Sequence, residues 1–152
     1  MDKKWDIRFL EMARQYASWS KDPSSKIGAV CVDADTRRIL SGGYNGFPRN
    51  IRDTTSRLND REKKYKYVVH AEMNAIYNAT RSGISLDGAH LYCYGLPVCS
   101  ECAKGIIQVG IQRVVCSYDN SKTSTKWTDS WSDTLDIFHE AGVSTRVLCI
   151  DR

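Results

Sequence analysis

The 152-residue chain contains no apolar run approaching the ~20 residues that a bilayer-spanning helix requires. No signal-type hydrophobic region follows Met1-Asp2-Lys3-Lys4-Trp5 either, so a cytoplasmic location is expected, with no membrane partner. Repeats, low-complexity tracts and linkers are missing. Residues 1–152 therefore read as a single domain, long enough to bury one sizeable core without cross-links. A strong charge of one sign is absent too: 22 Lys plus Arg stand against 18 Asp plus Glu, a net +4. With no Arg-rich or aromatic stripe, this balance argues against nucleic acid and is compatible with small anions.

What the chain does have is six cysteines. Cys31, Cys93, Cys116 and Cys149 fall within apolar runs that read as buried strands, where cysteine behaves as a small hydrophobe. The other two stand in Pro97-Val98-Cys99-Ser100-Glu101-Cys102, downstream of His70-Ala71-Glu72. One imidazole and two thiolates suit tetrahedral Zn²⁺ with a fourth position left for water. Taken alone, a Cys-x-x-Cys can be a redox pair, and His-Ala-Glu is common by chance. Their combination is specific, because His-x-Glu followed by Pro-Cys-x-x-Cys marks the zinc nucleobase deaminases. Pro97 stands one residue early, which bears on the loop rather than on the ligands. Glu72 is too near His70 along the chain to be a comfortable extra ligand and reads as a proton carrier. His90 and His139 lack partners at metal spacing and read as structural or exposed.

Apolar spacing predicts a first helix over 5–19 and a hairpin of strands 27–32 and 38–41, followed by the glycine-rich segment 42–49. The polar, charged run 51–66 reads as a solvated face. A helix is expected from about His70 to Gly83, strands over 89–96, 113–118 and 143–150, and helices over 100–110 and about 127–141, the last preceded by a loop over 120–126. Strands separated by helices imply parallel pairing late in the sheet. The expected fold is α/β: a three-layer α-β-α sandwich around a five-stranded mixed sheet whose last strands are parallel.

The segments 22–30, 43–49, 69–76 and 99–108 resemble the deoxycytidylate (dCMP) deaminases of the cytidine deaminase-like superfamily, a likeness that runs from residue 5 to about 118. Beyond it the family's usual ending is replaced by the stretch from Trp127 to Trp131. The resemblance implies zinc-dependent hydrolytic deamination of dCMP to dUMP and ammonia, which supplies thymidylate synthesis. His70, Cys99 and Cys102 would hold the zinc and activate a water; Glu72 would pass the water's proton to N3, hydroxide would attack C4, and Glu72 would return a further proton to the departing amine. Asn45 matches a position that contacts sugar and pyrimidine. Ala71, beside the metal histidine, and Tyr118, which can hydrogen-bond the 5′-phosphate or pack on the base, complete the substrate candidates, and Lys26, Arg49, Arg52 and Lys66 are candidates for the 5′-phosphate.

The same resemblance implies that Gly43, Tyr44, Asn45, Gly46 and Phe47 hold a nucleotide effector with Mg²⁺, dCTP activating and dTTP inhibiting, and that the chain assembles as a homo-hexamer. Two rivals stand beside this reading. One is a deaminase of another cytidine nucleotide, a nucleoside or a tRNA base; the other is a zinc-stapled binding module without catalysis, which would give Glu72 no task.

Overall fold

The computed structural model describes residues 3–119 and 125–151 of the chain. Its elements are α1 (Lys3–Ser18), β1 (Gly28–Val32), β2 (Ile39–Tyr44), α2 (Thr55–Asn59), α3 (Arg61–Tyr67), α4 (Ala71–Arg81), β3 (His90–Tyr94), α5 (Ser100–Gln108), β4 (Arg113–Ser117), α6 (Thr125–Ala141) and β5 (Ser144–Val147). Among the described residues no helix is long and apolar enough to cross a membrane. The expected loop over 120–126 lies largely outside the described residues, as does the side chain of Trp127.

The five strands form one sheet in the order β2-β1-β3-β4-β5. β1 runs antiparallel to both β2 and β3, while β3–β4 and β4–β5 are parallel. This is the expected mixed sheet, and its cause is connection length: a short turn joins β1 to β2, whereas a helix returns the chain between β3, β4 and β5. Side chains alternate across β1, so Val30 and Val32 pack with Tyr92, Val115 and the Phe9, Leu10 and Ala13 stripe of α1. Ala29 and Cys31 face the opposite way, toward a larger cluster built with Ala71, Ala75 and Ile76 of α4, Ala103 and Ile106 of α5, and Trp131 and Phe138 of α6. One helix thus covers one face and three cover the other.

Three expectations are corrected. The second strand does not stop at Ser41 but continues through Gly42 and Gly43 to Tyr44, because these glycines let helices close on the sheet. A Cβ on Gly43 would sit 2.6 Å from the backbone nitrogen of Ala75. The run 51–66 is not simply a solvated face; it folds into α2 and α3, capped by Thr54 and Asp60, whose side chains accept from the backbone N–H groups of Arg57 and Lys63. Cys149 is exposed, since β5 is a sheet edge that ends at Val147, while Cys31, Cys93 and Cys116 are buried as expected.

Candidate active site

Two helix N-termini meet at the site. His70 is the N-cap of α4 in extended conformation (φ −67°, ψ 153°), and its side chain makes no capping bond, which frees the imidazole to turn outward. Cys99 is the N-cap of α5, and its Sγ accepts the Cys102 backbone N–H at 3.4 Å. The loop leading to Cys99 is held from behind, where Thr134 of α6 donates to the Val98 carbonyl at 2.8 Å. The approach to His70 is held by mutual Gly46–Val69 backbone bonds of 3.1 and 2.8 Å.

These anchors bring His70 Nδ1 to 3.3 Å from Cys102 Sγ and 3.4 Å from Cys99 Sγ. Among the described residues, His70, Cys99 and Cys102 are the group of three donors placed to hold a metal ion, their ligand atoms all within 4.8 Å of one another. Zinc bond lengths at tetrahedral angles would set N and S about 3.6 Å apart, so the trio fits Zn²⁺ with little movement. The thiols say the same. Hydrogen bonding from Cys102 and His70 draws the Cys99 thiol down, while that contact with Cys99, with burial, pushes Cys102 up. Two sulfurs sharing one proton is the donor set that a cation would take over, assisted by the α5 N-terminus. His70 is itself raised, chiefly by Cys99.

Glu72, in the first turn of α4, is 4% exposed. Burial pushes its carboxyl above the ordinary carboxylate range, with His70 the largest opposing influence. A buried carboxyl beside metal donors that resists losing its proton is suited to carrying one.

The cleft above is bordered by His70, Ala71, Glu72 and Cys99 at its floor and by Asp22, Asn45, Arg61 and Lys64 on its walls. Asn45 is buried, and its amide braces one wall: Oδ1 accepts from Ile27 N–H at 2.9 Å and Nδ2 donates to the Ser25 carbonyl at 2.8 Å. Lys64 is buried as well, pairing with Asp22 at 3.2 Å. Arg61 is exposed and has no hydrogen-bond or ion-pair partner among the described residues.

The other expected contacts lie elsewhere. Tyr118 is buried edge-on to Trp131 and does not border the cleft. Lys26, Arg52 and Lys66 are exposed and also off the cleft, and Arg49 donates to Asn78 Oδ1 at 2.6 Å across a separate hollow. Arg61 and Lys64 were not among the phosphate candidates. The signal that could have found them is the Asp60 cap, which begins a helix whose i and i+3 positions share a face.

The profile of the cytidine and deoxycytidylate deaminase zinc-binding region matches residues 3–118. An uncharacterized deaminase from the luxG 3′ region of Aliivibrio fischeri is 38% identical over 151 residues, covering 99% of this chain and 98% of that protein. Deoxycytidylate deaminase of Homo sapiens is 36% identical over 148 residues, 94% of this chain and 79% of its own length. Among solved structures, the apo dCMP deaminase of cyanophage S-TIM5 superposes with a TM-score of 0.75 at 25% identity, over 97% of this chain and all (100%) of that one. A match running from the first helix to the end of the strand beside the site leaves one conclusion: the chain belongs to the family of zinc-binding cytidine and deoxycytidylate deaminases.

Proposed function

We propose that this deaminase acts on dCMP, releasing ammonia from C4 to give dUMP and so supplying thymidylate synthesis. The observation that carries the reading is a single cleft bordered by Glu72, by the metal donors His70 and Cys99, and by two cations, Arg61 and Lys64. Similarity to relatives named deoxycytidylate deaminase supports the choice of base and phosphate. Zinc held by His70, Cys99 and Cys102 would supply the Lewis acidity that brings a water's pKa to about 7. Glu72 takes one proton of the attacking water and delivers it to N3, which makes C4 electrophilic; it then takes the second from the hydroxyl added at C4 and gives it to the amine, so that ammonia leaves as the C4 carbonyl forms. Ala71 and Asn45 border the space assigned to base and sugar. Arg61 is the phosphate contact, while Lys64 neutralises Asp22, which would otherwise repel it.

Effector control by dCTP and dTTP with Mg²⁺, and assembly as a homo-hexamer, belong to the same reading. Two hollows bordered by Tyr44, Gly46 and Phe47, one adding Trp19 and Lys21 and the other Arg49 and Asn78, offer room for the effector.

Ammonia release from dCMP, CMP, deoxycytidine and dCTP in parallel tests the substrate. Preference for dCMP is the expected result, and its modulation by added dCTP and dTTP would support the effector hollows. Equal or faster release from deoxycytidine would overturn the phosphate part of the reading.

A further inference from the structure

Cys93 sits at the centre of β3, opposite Ala29 of β1 on one side and Cys116 of β4 on the other. It is fully buried, in the cluster beneath α4. Its Sγ lies 3.3 Å from Oε1 of Glu72. The other acceptor in reach, the Leu96 carbonyl, is farther, at 3.7 Å.

A contact between a thiol and a buried carboxyl is unusual in a layer that is otherwise apolar, and its direction is fixed. Burial, followed by the negative charge of Glu72, pushes the Cys93 thiol well above its usual range, so the sulfur keeps its proton and donates. Among the described residues, Cys93 is the side chain hydrogen-bonded to Glu72. Cys102, the other sulfur that bears on the carboxyl, is one of the metal donors, and a thiolate bound to a cation has no proton to give. Once the metal is in place, Cys93 is the remaining thiol donor to Glu72.

We propose that Cys93 is a positioning residue: its S–H holds Oε1 of Glu72 from beneath, so that the carboxylate keeps one orientation while its other oxygen faces the reacting groups. A buried Glu side chain pinned only at its stem would share its time among rotamers, and proton transfer requires one of them. The effect belongs to turnover, because the contact lies below the carboxylate and away from the substrate.

The test pairs two near-isosteric variants, Cys93→Val without a donor and Cys93→Ser with one. Its kinetic half rests on the dCMP reading. Cys93→Val is expected to lower kcat about tenfold, as loss of a hydrogen bond to a charged group does, with KM for dCMP within about twofold. Zinc per chain should stay at the wild-type value, and Cys93→Ser should recover most of the rate. Equal losses in the two variants would mark a packing role and overturn the proposal, as would unchanged kcat in Cys93→Val.

The second half needs no substrate. The infrared difference between wild type and Cys93→Val isolates the Cys93 S–H stretch, which is expected to move to higher frequency in Glu72→Gln, where a neutral amide is the weaker acceptor. A stretch indifferent to that change overturns the positioning contact, whatever the protein deaminates. If Cys93→Val fails to fold, Cys93→Ala serves in both measurements.

Discussion

Each face of the sheet buries a carboxylate, and the two are handled in opposite ways. On the α1 face, Asp6 is fully buried and surrounded by donors. Arg113 grips it with bonds of 2.8 and 2.7 Å, Arg146 adds one of 2.9 Å, and Tyr92 O–H donates at 2.9 Å. On the α4 face, Glu72 is nearly as buried but has thiols for neighbours and no arginine. Burial works against the charge of both. At Asp6 the arginines and the tyrosine outweigh it and hold the carboxyl below its ordinary value; at Glu72 burial wins and the carboxyl is raised. A buried acid with its partners in full is a staple, and one left short of partners keeps the raised proton affinity that a reagent needs.

The largest expected effect breaks the reagent. Glu72→Gln keeps size and burial but cannot carry a proton, so deamination should fall by roughly 10²–10⁴-fold or more while zinc content is unchanged. Retained turnover would sink the proton-carrier role. The same variant has a stability consequence of opposite sign. Because the folded-state value of Glu72 lies above the unfolded one, folding takes up a proton, and the metal-free protein loses stability as pH rises through that interval. Metal-free Glu72→Gln should therefore be the more stable protein at neutral pH, with the gap closing in acid; urea melts at several pH values would read it.

Breaking the staple comes next. Asp6→Asn leaves Arg113 and Arg146 around a neutral group, and removing one partner of a buried pair costs about 3–5 kcal/mol. Turnover per folded molecule should hardly change, because the site lies on the other face. The sign of the pH dependence follows from the depressed value of Asp6: its contribution is present above the unfolded pKa of about 3.9 and is lost as pH falls through the folded one. Wild type should lose stability there faster than Asp6→Asn does. Equal acid sensitivity would mean that the network adds little.

The two carboxylates also differ in how legible they were. Glu72 could be placed beside the metal donors from sequence because its neighbours are local: His70 precedes it by two residues, and the two cysteines form a compact pair. The parallel pairing of the later strands was legible for a similar reason, since helices between strands return the chain in the same direction. Asp6 was invisible. Its partners Arg113 and Arg146 stand 107 and 140 residues away, and on a helical pattern Asp6 reads as one more surface charge. Lys64 was hidden in the same way, being buried by an aspartate 42 residues earlier within a run that composition alone marks as solvated. The glycines at 42 and 43 read as part of a loop, whereas they lie in β2, where Gly43 admits α4. Spacing along the chain reports local geometry; pairing across the fold is reported only by the fold.

The smallest expected effect sharpens the comparison at the rim of the cleft, where charge is again either spent or free. Lys64 is spent: Asp22 holds it, and removing either would leave a buried charge unpaired, so such variants confound binding with folding. Arg61 is free, and its loss removes the net positive charge of the Asp22, Lys64 and Arg61 group without disturbing a contact among the described residues. Arg61→Gln should raise KM for dCMP about tenfold, the scale of one charge-assisted hydrogen bond, and leave deoxycytidine turnover and stability unchanged. Since Arg61 is exposed, its pull on the phosphate is screened by salt, so KM for dCMP should climb with ionic strength in wild type and far less in the variant. A KM insensitive to both the substitution and salt would move phosphate recognition away from this wall while leaving Glu72 and the metal donors as they stand.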